Sequence, residues 1–209
     1  MDCCAADPAL PDRQWQVYSR LNLIVDPQGQ QPDQLNSVVF AQHRVSGQLR
    51  VIYEGLPPQA QDLDFVMAVP LAWSRTVPAH LLIRDHRGLF QSDLAADQAV
   101  IWSPSAGSEQ GVNREKRQPQ HPSDFSEVVG WDPQAAERVL FMIGNFGEDA
   151  EVVSVGTSPP DQRRSLPAER LSASLNPDPN WTSPLQIQPL DWTSAVPVSP
   201  GPLCHFLKR

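Results

Sequence analysis

The stretch His80–Phe90, HLLIRDHRGLF, places an acid, an imidazole and two guanidinium groups side by side between two apolar runs. Asp85 and Gly88 stand at the first and fourth positions of a type I turn, where aspartate and glycine are favoured. Gly88 can also take the left-handed conformation that short loops often need. The local signal therefore predicts an exposed hairpin tip at Asp85–Gly88, with charged side chains gathered there by solvent, rather than a catalytic loop. In that hairpin His80 lies below the tip and faces Asp93 or Leu94 according to register. A His80–Asp93 pair would be an acid–base dyad without an identified nucleophile.

Strand signals extend on both sides. In WQVYSRLNLIV, Trp15, Val17, Leu21, Leu23 and Val25 share one face by period two, interrupted only by Ser19, and the run ends at Asp26–Gly29. Residues 38–45 and 48–54 flank Ser46-Gly47, a hairpin turn composition. Residues 64–73 form a further strand that Pro70 interrupts or confines to a sheet edge. After a strand at 98–104, residues 104–125 are poor in apolar side chains and predict a mobile surface loop or linker. Its basic knot is Arg114, Lys116 and Arg117.

Farther on, Asp132-Pro133 predicts a helical turn at 133–137, followed by a hairpin about Gly147-Glu148-Asp149. A second short helix is expected at 167–174, then a proline-punctuated tail carrying Trp181 and Trp192. The expected fold class is mainly β: an antiparallel, immunoglobulin-like β-sandwich with one or two short helices, in one or two lobes. The expected divisions are a lobe at 12–103, the 104–125 loop, and a second lobe or completing sheet at 126–209.

Composition narrows the function. The chain has 209 residues, a formal net charge of -8 and 22 prolines, about twice the usual share of proline. An acidic chain without a segregated basic face argues against nucleic acid as a partner. The start of the chain shows no signal peptide, and its longest apolar run, VLFMIG, falls far short of the ~20 residues of a membrane span. No membrane partner and a cytoplasmic location are the corresponding expectations. Cys3, Cys4 and Cys204 make no disulfide framework and no zinc-ligand spacing. The sequence contains no GxGxxG, GxxxxGK[ST], GxSxG or HExxH, so no cofactor and no metal are expected and no residue is assigned a catalytic role.

Two likenesses accompany these readings. RVLFMIGNFGEDAEVVSV is similar to a hairpin of the C-terminal β-sandwich in α-amylase-like glycosidases, a likeness confined to that hairpin. LPPQAQDLDFVMAVPL followed by LLIRDHRGLF resembles the first domain of periplasmic pilus chaperones, where two basic residues anchor a subunit's C-terminus. Arg20 and Arg87 would be the counterparts here, but that domain is longer than the matching part of this chain, and neither likeness assigns a family. Both agree with an immunoglobulin-like sandwich, a fold that serves many functions.

The expected function is thus non-catalytic binding of another macromolecule, a protein, through exposed strand edges or the 104–125 loop. Arg114, Lys116, Arg117, Trp181 and Trp192 are the candidate partner-binding residues. The alternative is a carbohydrate-active enzyme or its accessory lobe, which would require paired acids or exposed aromatic rings about a pocket.

Overall fold

A computed structural model describes residues 2–6, 14–24, 28, 34–55, 65–76, 78–89, 95–104, 114–117, 124–157 and 163–166. The chain is mainly β, and no helix occurs among the described residues. Its strands are β1 (Asp2–Ala6), β2 (Trp15–Ile24), β3 (Gln34–His43), β4 (Leu49–Gly55), β5 (Phe65–Trp73) and β6 (Leu81–Gly88). They continue as β7 (Ala95–Trp102), β8 (Arg114–Arg117), β9 (Phe125–Trp131), β10 (Arg138–Gly144), β11 (Glu151–Gly156) and β12 (Arg163–Leu166). One unclosed sheet runs β1-β2-β3-β5-β6-β7-β9-β10-β11-β12, with β4 bonded to β3 and β8 to β7.

The meander β5–β6–β7 lies at the centre, apolar on both faces. Leu81 and Ile83 of β6, with Val100 and Trp102 of β7, join Val17, Val39, Ile52 and Tyr53 in one core cluster. Leu82 of β6, with Ala99 and Ile101 of β7, joins Val128, Val139, Phe141 and Val153 in the other. Successive side chains of a strand point to opposite faces, so β2–β4 cover one face of the meander and β9–β11 the other. A strand covered on both faces reads in sequence as a continuous apolar run.

This overturns the hairpin tip expected at Asp85–Gly88. All four residues belong to β6, paired with β5 and β7, and Asp85 is 0% exposed. The β6–β7 connection falls after Gly88, so the ladder outweighs the local turn signature. Of the face expected on β2, Trp15, Val17 and Leu21 are at least partly buried, Val25 lies outside the described residues, and Ser19 does not break the run. Ser19 is buried and donates its hydroxyl to the Ala68 carbonyl of β5.

β5 joins the β3 ladder through the parallel pair Leu35↔Phe65 alone. Serines from neighbouring strands serve the rest of its open edge. Ser37 Oγ donates to the Val66 carbonyl (3.1 Å) and accepts from the Ala68 N–H (2.7 Å). Pro70 shares the alternation of 66 and 68, so its missing N–H falls on the edge without a strand, and Leu71 is the extra residue of a bulge beside it. Proline is therefore accommodated as the sequence suggested.

One further expectation needs correction. Residues 133–137 form turns: Asp132 accepts from the Gln134 and Ala135 N–H groups, and Arg138 already enters β10. The start signal is real, but the β-branched run behind it prefers the ladder. Within 104–125, Arg114–Arg117 form β8, bonded antiparallel to Ala99–Trp102. The expected helix at 167–174 and the tail lie outside the described residues. Both expected hairpins are present, with positive φ at Gly47 (69°) and Gly147 (86°).

Candidate functional site

The charged tetrad Arg84-Asp85-His86-Arg87 alternates through β6, so its members separate to the two faces of the meander. Asp85 and Arg87 face β4. Asp85 Oδ2 accepts from the Tyr53 hydroxyl and from Arg87 Nε (2.9 Å) and Nη2 (2.6 Å), and Arg87 Nη2 also donates to Tyr53 Oη (3.1 Å). Burial, reinforced by the Asp85 carboxylate, pushes the Tyr53 phenol well above its ordinary value, so it remains a neutral donor. Burial opposes the Arg87 charge, yet the bonds to Asp85 and Tyr53 outweigh it and raise its pKa. Asp85 Oδ1 and Gln98 Oε1 are both buried without a hydrogen-bond partner among the described residues, on residues paired across β6 and β7.

Arg84 and His86 face β9 and meet Asp97 of β7. Asp97 is 0% exposed; its Oδ1 lies 2.5 Å from His86 Nδ1, and its Oδ2 lies 2.6 Å from Arg84 Nε and 2.7 Å from the Val128 nitrogen. Glu127 Oε1 takes Arg84 Nη1 at 3.1 Å, so two carboxylates share one guanidinium. Ser126 Oγ bonds the main chain of Asp97, not the imidazole. The His86 side chain is 23% exposed, and its ring packs on Phe65 at 5.3 Å between centroids.

The expected His80–Asp93 pair is not the dyad. His80 lies opposite the residue after Trp102, and its Nδ1 contacts Ser103 Oγ at 2.5 Å, while Asp93 lies outside the described residues. His86 and Asp97, directly opposite in register, form the carboxylate–imidazole pair instead. Sequence reading missed Asp97, because a turn set five residues early assigns β6 the wrong partners. An acidic residue in AADQAVIW, a run whose remaining residues apart from Gln98 are apolar, was the available signal.

Aromatic side chains occupy the opposite end of the meander. Trp15, Trp73 and Trp102 make edge contacts, His43 meets Trp15 edge-on at 5.0 Å between centroids, and Arg50 lies over the Trp15 ring at 5.6 Å. Of the candidate partner-binding residues, Arg114, Lys116 and Arg117 lie on β8, and Trp181 and Trp192 fall outside the described residues. Arg87, one of the two residues proposed by the chaperone likeness, is engaged by Asp85 and Tyr53, and the other, Arg20, lies on β2.

On β10 and β11, Arg138 donates to the Ser154 hydroxyl (2.8 Å), which in turn donates to Asp132 (2.7 Å). Burial and the nearby Arg164 charge lower the Arg138 pKa despite Asp132. Among the described residues, no group of three or more His, Cys, Asp or Glu could hold a metal ion, and no helix is long and apolar enough to cross a membrane. No protein family matches the chain, and no curated protein or solved structure is significantly similar to it.

Proposed function

We propose that the protein is a non-catalytic binding module of β-sandwich type, whose partner is another protein docking as an extended strand on the β3–β4 hairpin. One observation carries this reading: an open edge and exposed apolar side chains coincide there. Among the described strands β4 bonds only β3. Three of the four large hydrophobics exposed on the described surface are Val45 at the tip (88%) and Leu49 and Val51 on β4 (37% each). An unpaired strand offers main-chain donors and acceptors, while alternate outward side chains select the partner. The β-bulge of β4 at Ile52 turns both Ile52 and Tyr53 into the core, so the regular edge is the segment before it. The covering of both faces of β5–β7 supports the sandwich description.

The test is a double change, Leu49→Lys with Val51→Lys, which places charge on the edge without touching the core. Capture of a partner from host extract is expected to fail while the melting temperature stays within a few degrees, as surface sites allow. Undiminished capture would remove the hairpin from the interface. If capture fails instead on alanine substitution of Arg114, Lys116 and Arg117, or of Trp181 and Trp192, the interface belongs to β8 or the tail.

A further inference from the structure

The three histidines among the described residues differ in what holds Nδ1, and that difference sets where each ring keeps its proton. His43 Nδ1 accepts the Ser46 N–H (3.2 Å), which requires a bare Nδ1 and places the neutral ring's proton on Nε2. His80 Nδ1 contacts a hydroxyl, Ser103 Oγ, which can either give or take a proton. His86 Nδ1 meets Asp97 Oδ1 at 2.5 Å. An ionised carboxylate can only accept, so Nδ1 of His86 carries the hydrogen, and in the neutral ring Nε2 holds the lone pair.

Asp97 cannot readily turn away. Its other oxygen is held by Arg84 and by the Val128 N–H, and the residue is fully buried. The Phe65 ring packed on the imidazole resists a flip that would exchange the nitrogens. No hydrogen bond to Nε2 occurs among the described residues, and the side chain is 23% exposed. A base oriented by a third, buried group is the arrangement that activates imidazole nitrogen.

We infer that His86, away from the β3–β4 binding edge and independent of it, is a nucleophilic modification site whose Nε2 takes up activated acyl groups stoichiometrically. In the step, the Nε2 lone pair attacks the acyl carbon, and the bond from that carbon to the leaving oxygen breaks, its electron pair departing with the oxygen. Asp97 stabilises the positive ring that forms. Nδ1 keeps its hydrogen on Asp97 and the leaving oxygen takes a proton from solvent; the N-acylimidazolium lasts until water attacks the acyl carbon, releasing the free acid, returning one proton to solvent and restoring the neutral imidazole. Ser126, committed to the Asp97 main chain, is not the acceptor.

The test is timed labelling of the full chain with diethyl pyrocarbonate at pH 8, read histidine by histidine by mass spectrometry. His86 is expected to label faster than His43 and His80. Asp97→Asn, which can donate to Nδ1 and so move the proton to Nε2, should slow His86 about 10–100-fold, the usual effect of losing an orienting carboxylate. His86→Asn, whose side-chain amide can still donate to Asp97, should lose the fast phase and keep the strand circular dichroism. Labelling of His86 no faster than the other two, or equally fast in folded Asp97→Asn, would overturn the assignment. Should Asp97→Asn fail to fold, the imidazole ¹⁵N spectrum of the unaltered protein decides: protonated Nδ1 with bare Nε2 sustains the site, and the opposite tautomer ends it.

Discussion

The two faces of β6 carry the same currency of charge and organise it differently. Toward β4, Asp85 gathers its donors on one oxygen and leaves the other unpartnered, and the neighbouring acid, Tyr53, is held in its protonated form. Toward β9, Asp97 uses both oxygens, and its neighbour His86 is a base whose second nitrogen has no hydrogen bond among the described residues. The first cluster closes on itself; the second ends in a group that can still react. Adjacent residues thus acquire unlike chemistry because strand alternation sends them to unlike surroundings.

The comparison breaks most sharply at the two aspartates. Asp97→Ala leaves Arg84, whose side chain is 10% exposed, without its buried carboxylate, and a loss of about 3–5 kcal/mol is expected in urea unfolding. Asp85→Ala should cost less, because the Arg87 side chain is 19% exposed and can reach water. The reverse order would mean that the β4-facing cluster is the main structural tie.

Tyr53→Phe removes one donor from Asp85 while Arg87 stays, for a loss of about 1–3 kcal/mol near neutral pH. A second effect follows from the raised phenol. Its contribution is fully present below pH 10.0, the ordinary value, and declines as pH rises from there toward the higher folded value. The decline should reach about 1.4 kcal/mol per pH unit. Urea unfolding at pH 9, 10 and 11 is expected to show that added slope in the unaltered protein and its loss in Tyr53→Phe. Equal slopes would place the phenol in contact with solvent.

The smallest effect sharpens the comparison at the unpartnered oxygens. Gln98→Met keeps length and removes a buried acceptor facing the Asp85 side, so stability should change by less than about 1 kcal/mol, in the stabilising direction. A clear loss on thermal melting would show that Gln98 is satisfied by a donor such as a bound water.

The strands were largely legible because their signals are local. Gly47 and Gly147 turn where hairpins were expected, and Pro70 marks an edge. The site was not legible, because it depends on pairing across a connection whose position was misread. Asp85 through Gly88 carry turn chemistry, yet Leu81–Ile83 and the opposing Val100–Trp102 bury more in a ladder than a turn could offer. Placing the reversal at the tetrad matched His80 with Asp93; the true register gives His80 to Ser103 and His86 to Asp97. The serines were misread for a related reason: a period-two pattern counts Ser19 as a gap, whereas its hydroxyl serves β5.

The double covering of β5–β7 also has a consequence for biosynthesis. A ribosome delivers β1–β7 before β9–β11, so Leu82, Ala99 and Ile101 emerge facing a surface whose cover has not yet been made. Until Val139–Val155 leave the exit tunnel, the nascent chain presents a bare apolar sheet face, the kind of surface that aggregates or engages chaperones. Slow translation through the intervening segment would lengthen that exposure, and a stop within it would release a product with half its core open.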